Sequence, residues 1–240
     1  INASWHLNIN QNEQSDSELK NSTGRNYILL FIIISVLLSI GILILKNYSE
    51  LFKLNISNSI VNNDMLVPQD NKLLERRDIE QELEKKLSKN TGIQSVALVG
   101  IGGSGKTTIA RQYARNSGAS LIWEINAESK DTIISSMQQL AHEAAKNSAD
   151  HDELEQIKTI RNVSEKERRL WLFLSKSIRK YNGWLLIYDN VRNFQEVIKY
   201  FPHDENIWGN GKVIITTSNA NITHSDYISD KNVIYVNDLN

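Results

Sequence analysis

A glycine-rich segment in the middle of the chain constrains the fold more than any other feature. It runs from Gly100 to Thr108 and matches the pattern G-x-x-x-x-G-K-[ST] at every fixed position. Residues 94–99, which precede it, form a short apolar run that predicts a buried strand. In residues 108–114, which follow it, apolar side chains recur with helical spacing. The segment therefore predicts a loop that joins a buried strand to the N-terminus of a helix.

A loop of this kind is suited to bind a polyphosphate. Glycines let the backbone wrap the anion without Cβ clashes, and successive N–H groups at a helix N-terminus face it. Lys106 adds a positive charge toward the β and γ phosphates of a nucleotide, and the Thr107 hydroxyl can ligate Mg²⁺. The alternative is a glycine-rich turn before an ordinary helix. The predicted nucleotide-binding residues of the loop are Gly100, Ile101, Gly102, Gly103, Ser104, Gly105, Lys106, Thr107 and Thr108.

A second apolar run predicts the partner of this loop. Residues 183–189 are apolar and aromatic after the first glycine and end in Asp189. A buried parallel strand can present one carboxylate at its carboxyl end, where Asp189 would hold Mg²⁺ together with Thr107, directly or through water. The alternative is an ordinary turn aspartate.

Three further strands are predicted from short apolar runs. They cover residues 120–126, 211–218 and 231–236. Stretches with helical spacing lie before and after residues 120–126 and separate them from the other predicted strands. Strands that alternate with helices predict a parallel sheet with right-handed crossovers.

An uncharged apolar stretch near the N-terminus, residues 27–45, predicts a transmembrane helix. A helix of this length spans about 28 Å, which is close to the thickness of the hydrocarbon layer. The stretch lies between Arg25 and Lys46 and is apolar on every side. A buried core helix and a signal peptide are the alternatives. The sequence thus predicts a polar N-terminal tail, 1–26, a single membrane span, and a juxtamembrane linker, 46–70.

Composition excludes several other classes of site. The chain has 27 basic and 28 acidic residues, so no excess of positive charge indicates a nucleic-acid partner. It has no cysteine, which excludes disulfides and cysteine-type zinc sites, and its five histidines lack metal-ligand spacing. Basic residues lie on both sides of the predicted span, so charge does not set its orientation. Because ATP is cytoplasmic, we expect the nucleotide-binding part to lie in the cytoplasm.

Four blocks of sequence together resemble the NB-ARC domain of the STAND class of signalling ATPases, over about Leu73 to Leu239. In chain order they are Leu73-Leu74-Glu75-Arg76, Val99 to Ala110, Trp184 to Val191, and Gly211 to Ser218. The resemblance implies that residues 71–240 form an α/β P-loop NTPase domain. It also implies a five-stranded parallel sheet in the order 5-1-4-3-2, flanked by helices. Glu75 stands where the family usually has Gly.

The resemblance implies roles for residues outside the loop. In the family, the counterparts of Leu74 and Arg76 lie beside the adenine of the nucleotide. The counterparts of Thr217 and Ser218 lie at the strand end that senses the γ-phosphate. The implied ligands are ATP or ADP with Mg²⁺.

Two positions depart from the family pattern. Many members have a second acidic residue after the strand-end aspartate, which acts as or orients a general base, and Asn190 stands there. An amide can orient water but cannot accept its proton at neutral pH. Ser218 stands where Arg is usual, which removes a cation from the γ-phosphate. With Lys106, Asp189 and Asn190 as the candidate catalytic residues, we expect ATP hydrolysis to be slow or absent.

The features combine into one expected function with two alternatives. The expected function is a membrane-anchored switch in which ADP holds a closed state and ATP permits self-association or partner binding. The alternatives are a turnover P-loop ATPase and a degenerate interaction module at a membrane. The chain begins at Ile1 and ends where the helical and winged-helix parts of the family would begin. We therefore expect it to be a fragment whose partners bind through the region that follows.

Overall fold

The structure of the chain, a computed structural model, describes residues 31–44, 46, 60–61, 65, 76–89, 91–181, 183–223 and 227–237. The chain divides into two compact units, Ile1–Ser57 and Asn58–Asn240. The predicted tail, 1–26, and the predicted adenine-side residue Leu74 lie outside the described residues.

The first unit contains one described helix, α1, over residues 31–44. It falls within the predicted span, of which residues 27–30 and 45 lie outside the described residues. Its large apolar side chains, such as Phe31 and Leu43, are exposed. Among the helices that the structure describes, none combines the length and the apolar character needed to cross a membrane.

The second unit is built on a parallel sheet. In the described part of the chain the sheet has six strands in the order β1-β3-β4-β5-β2-β6, and every paired neighbour is parallel. The predicted five strands and their order, 5-1-4-3-2, are confirmed as β6-β2-β5-β4-β3. The added strand, β1, pairs with β3 at one edge and is too short to produce a periodic sequence signal. The strands are β1 Ile60–Val61, β2 Ile93–Val99, β3 Leu121–Asn126, β4 Trp184–Asp189, β5 Gly211–Thr217 and β6 Val233–Tyr235.

Helices cover both faces of this sheet. On β2, Val96 and Leu98 pack in one apolar cluster with residues of α2 and α3. The intervening Ala97 packs in a second cluster with residues of α4 and α6 on the other face. Alternate side chains of a strand point to opposite faces, so a strand that is apolar throughout becomes buried on both. The helices of this unit are α2 Arg77–Lys86, α3 Lys106–Asn116, α4 Lys130–Ala144, α5 Ser148–Thr159, α6 Val163–Ile178, α7 Phe194–Val197 and α8 Glu205–Trp208.

The sheet order places the chemically interesting strand ends side by side. The central neighbours β4, β5 and β2 are parallel, so their carboxyl ends meet at one edge of the sheet. The predicted phosphate loop leaves β2 at this edge, and Asp189 ends β4 there. In parallel α/β sheets this edge, where the strand order reverses, is the usual place of a ligand site.

Candidate nucleotide-binding site

The loop between β2 and α3 has the backbone that its glycines permit. Gly103 and Gly105 have φ angles of 85° and 88°, in the left-handed region that disfavours other residues. Gly105 is also the N-cap of α3, so the free N–H groups of the first helical turn face the space above the loop. A Cβ on Gly100 would lie 2.3 Å from the Val236 carbonyl oxygen and 2.9 Å from Ser104 Oγ. Gly100 is therefore needed where the loop passes close to the end of β6.

Lys106 folds back over the loop that precedes it. Its Nζ donates hydrogen bonds to the carbonyl oxygens of Gly100, at 2.9 Å, and Ile101, at 2.6 Å. Partial burial lowers the pKa of Lys106, and the negative charge of Asp189 acts in the opposite direction. The ammonium group thus lies at the mouth of the loop, where a phosphate would replace the two carbonyl contacts.

Asp189 links the loop helix to the neighbouring strand. Its Oδ1 accepts a hydrogen bond from Thr107 Oγ1 at 2.6 Å and a second from Thr216 Oγ1 at 2.6 Å. The structure therefore brings together the two residues predicted to hold Mg²⁺, and it adds Thr216, which the sequence analysis did not select. In the register of the sheet, Ile215 of β5 lies opposite Tyr188 of β4, so Thr216 comes level with Asp189.

The donor set at this point fits Mg²⁺. A hydroxyl and a carboxylate are the hard oxygen ligands that the ion prefers. Among the described residues, no group of three His, Cys, Asp or Glu side chains could hold a metal ion without help. Mg²⁺ in nucleotide sites takes one or two protein ligands and completes its shell with phosphate oxygens and water, so Thr107 and Asp189 are sufficient.

Asn190 has a structural role that its sequence position did not reveal. Its φ is 61°, and in the described residues it is the one non-glycine with a positive φ. Asn is among the few residues that adopt this left-handed conformation readily. Its backbone N–H donates to Thr216 Oγ1 at 2.9 Å, while its side chain is exposed. The turn after β4 therefore selects Asn for conformation, independently of any catalytic role.

The two predicted sensor residues lie in different environments. Thr217 is buried, and its hydroxyl donates to the Val191 carbonyl at 2.6 Å and accepts from the Asn219 N–H at 2.9 Å. Ser218 is exposed just beyond the end of β5. Their sensor roles stay predictions.

An ion pair beside the loop was also missed by the sequence analysis. Arg111 of α3 binds Glu124 of β3 through two hydrogen bonds, Nε to Oε2 and Nη2 to Oε1, each 2.6 Å long. The hydrogen bond with Glu124 raises the pKa of Arg111. This two-point contact fixes α3 against the sheet one turn after Thr107.

Arg76 lies at the side of the site where β6 ends. Its Nη1 donates to the Asn237 carbonyl at 3.1 Å. The adjacent Val236 donates from its backbone N–H to the Val99 carbonyl at 2.7 Å, immediately before the loop. Arg76 is thus close to the start of the phosphate loop, and its role beside the adenine stays a prediction.

The fold and the site together define a P-loop nucleotide-binding domain. The parallel sheet, the left-handed glycines, Lys106 over the loop and the Thr107–Asp189 contact are the elements of this class. Domains of the class bind nucleotide, usually with Mg²⁺.

Comparison with protein families then identifies the particular family. Residues 76–239 match the family model of the NB-ARC domain. The chain belongs to the NB-ARC domain family, and the resemblance predicted from the sequence is confirmed. No curated protein matches the chain.

Two solved structures are among those similar to the chain. One is Cdc6p from Pyrobaculum aerophilum, with 18% identity and a TM-score of 0.49 over 74% of this chain and 50% of that chain. The other is a Signal Transduction ATPase with Numerous Domains protein with a tetratricopeptide repeat sensor, from Pyrococcus horikoshii. It has 19% identity and a TM-score of 0.43 over 72% of this chain and 24% of that chain. The chain thus spans half the length of the first protein and about a quarter of the second.

Proposed function

We propose that the chain is an ATP- and ADP-binding signalling switch that hydrolyses ATP slowly or not at all. The observation that carries the proposal is the preformed Thr107–Asp189 contact beneath the phosphate loop, followed directly by Asn190 in place of an acidic residue. Nucleotide acts as a switch when its affinity differs between two conformations of the protein.

Different residues of the site would bind different parts of the nucleotide. The N–H groups at the start of α3 and Lys106 would bind the phosphates, and Thr107 and Asp189 would hold Mg²⁺. When bound, Mg²⁺ neutralises charge on the β and γ phosphate oxygens. Arg76, which donates a hydrogen bond to the Asn237 carbonyl, would contact the base side of the nucleotide.

The proposal of slow hydrolysis is supported by Asn190, which carries an amide where a second carboxylate would serve as a base. The side chain of Asn190 cannot accept a proton at neutral pH. Of the acidic residues on β3 and just after it, Glu124 is bound by Arg111 and Glu128 forms an ion pair with Arg192. Each of these carboxylates is held by a guanidinium group, so neither is positioned to accept a proton from an attacking water.

The proposal includes anchoring to a membrane through residues 27–45 and placement of the nucleotide-binding domain in the cytoplasm. The uncharged sequence of this stretch supports it. Recovery of the full chain in a membrane fraction that resists carbonate extraction is expected, and loss of that behaviour on deletion of 27–45 would attribute it to this segment. A fully soluble chain would contradict the anchoring.

The proposed switch is tested by measuring binding and turnover on the full chain. At about 100 times its Kd, Mg-ADP stabilises a protein by about 2.7 kcal/mol, which raises the Tm of a domain of this size by about 5–10 °C. We expect this rise together with ATP turnover well below about one per second. Faster turnover would indicate a turnover ATPase. A Tm that neither ATP nor ADP changes would indicate an interaction module that binds no nucleotide.

Substitution of Asn190 with aspartate is expected to increase ATP hydrolysis by at least about tenfold, because a positioned general base contributes about 10²-fold or more. Aspartate also tolerates the left-handed turn, so the backbone should be retained. Phosphate release under single-turnover conditions measures the rate. Asn190→Gly is the matched control, since it keeps the turn without adding a base and should not increase hydrolysis. An unchanged rate in Asn190→Asp would show that the absent base is not what limits hydrolysis.

A further inference from the structure

Thr216 occupies a junction between the metal side of the site and the turn that follows β4. It lies near the carboxyl end of β5 and is 1% exposed. Its hydroxyl donates to Asp189 Oδ1 at 2.6 Å and accepts from the Asn190 N–H at 2.9 Å. The hydroxyl is therefore used both as a donor and as an acceptor, on the last residue of β4 and on the residue that follows it.

The two bonds to Asp189 act on the same oxygen. Thr107 reaches Oδ1 from α3 and Thr216 reaches it from β5, so the oxygen is held from two sides. Both threonine hydroxyls thus bind Oδ1 and leave the second oxygen, Oδ2, to other partners. A carboxylate held in this way presents one fixed oxygen and one that is open to a metal ion or water, which is the arrangement that orients a metal ligand.

The hydrogen bond from the Asn190 N–H to the Thr216 hydroxyl adds a second contact that holds Asp189 in place. The left-handed turn at Asn190 follows Asp189 directly, and the Val191 N–H bonds the Thr216 carbonyl at 2.9 Å. Thr216 thus holds three consecutive residues, Asp189, Asn190 and Val191, through its hydroxyl and its backbone carbonyl. Any shift of the turn would move the carboxylate with it.

We propose that Thr216 is a positioning residue for the magnesium side of the nucleotide site: its buried hydroxyl, bound to both Asp189 and the Asn190 backbone, orients the carboxylate toward Mg²⁺. The inference rests on the proposed nucleotide-binding function. It assigns no contact between Thr216 and the nucleotide, so the residue acts through Asp189 alone.

The inference is tested by separating the Mg²⁺-dependent part of nucleotide affinity from the rest. The Kd of ADP is measured by calorimetry on the full chain, once with excess Mg²⁺ and once with a chelator. Thr216→Val keeps the side-chain shape and removes the hydroxyl, and it is expected to reduce the gain in affinity from Mg²⁺ by about tenfold or more. The Kd with the chelator is expected to stay at the wild-type value, because the loop amides and Lys106 are untouched.

Two further variants separate positioning from general stability. Thr216→Ser retains the hydroxyl and should retain the Mg²⁺ gain, whereas Thr216→Ala lacks it and provides a second test if the valine variant does not fold. Ser120→Ala removes a buried hydroxyl at the opposite end of the sheet, where Ser120 Oγ donates to the Gly183 carbonyl at 3.0 Å. This variant should also keep the wild-type increase in ADP affinity that Mg²⁺ produces.

The inference is overturned if removal of the Thr216 hydroxyl weakens ADP binding equally with and without Mg²⁺, which would indicate a purely structural role. It is also overturned if the Mg²⁺ gain is unchanged while wild-type protein binds Mg-ADP, and the proposed function then stands. A wild-type chain that binds no nucleotide would overturn both.

Discussion

Replacement of Lys106 with alanine is expected to abolish detectable binding of ATP and ADP while the domain stays folded. The ammonium group lies at the mouth of the phosphate loop, within hydrogen-bond distance of the Gly100 and Ile101 carbonyls. Hydrogen bonds to a charged group contribute about 1.5–3 kcal/mol each, so loss of the cation from the phosphates should weaken binding by at least about 100-fold. Calorimetric titration with Mg-ADP measures the loss.

The folded state should tolerate this change. Ile101 is 59% exposed, so water can reach the loop and satisfy the carbonyls that Lys106 leaves. Substitutions at such positions usually change the free energy of unfolding by less than about 1 kcal/mol. The Tm without nucleotide should therefore match that of the wild type.

Lys176→Ala is the matched control for the loss of one lysine. Lys176 lies on α6, its side chain is 66% exposed, and its Nζ is 3.7 Å from Glu153. Because exposed ion pairs of this kind contribute little, the variant should bind Mg-ADP as the wild type does. ADP affinity that survives in Lys106→Ala would overturn the assignment of the phosphate loop.

The parts of this site that could be predicted from the sequence are those carried by local patterns. The loop from Gly100 to Thr108 depends on residues next to each other, and the strands depend on short apolar runs, so both were recognisable. The strand order came from the resemblance, since no local pattern encodes which strands become neighbours. β1 was missed because two residues cannot show a period, and its pairing is made with β3, far along the chain.

The parts that could not be predicted depend on register between strands. Thr216 and Thr217 look alike in sequence, and one residue of register decides which of them faces Asp189 and which bonds the Val191 carbonyl. Arg111 and Glu124 have no special spacing, and only the packing of α3 on the sheet pairs them. The sequence analysis interpreted Asn190 through its side-chain chemistry. The structure shows that its backbone has a positive φ, a conformation that also favours Asn at this position.

A second large effect is expected from the substitution of Gly211 with alanine, which should destabilise the fold. Gly211 begins β5 and lies opposite Trp184, the first residue of β4. A Cβ at Gly211 would fall 2.1 Å from two ring carbons of Trp184. Overpacking of a buried site costs about 1–3 kcal/mol, and we expect the upper end, a fall in Tm of about 6–12 °C. Thermal unfolding followed by circular dichroism measures it.

The ring of Trp184 cannot move aside cheaply. It is 1% exposed, and its Nε1–H donates to the Trp208 carbonyl at 2.9 Å. Its ring also makes an edge contact with the Trp208 ring, with centroids 6.5 Å apart. Displacement of the indole would break this hydrogen bond in a buried environment, which adds to the cost of the clash.

Gly102→Ala is the matched control, since no atom lies within 4 Å of an added Cβ and its φ is outside the left-handed region. Its Tm without nucleotide should equal that of the wild type. Trp184→Leu supplies the decisive comparison, because a smaller side chain leaves room for the new methyl group. In a double-mutant cycle, Gly211→Ala should then lower the free energy of unfolding clearly less in the Trp184→Leu background than in the wild type. An equal loss of unfolding free energy in both backgrounds would show that the contact with Trp184 does not explain the glycine at position 211.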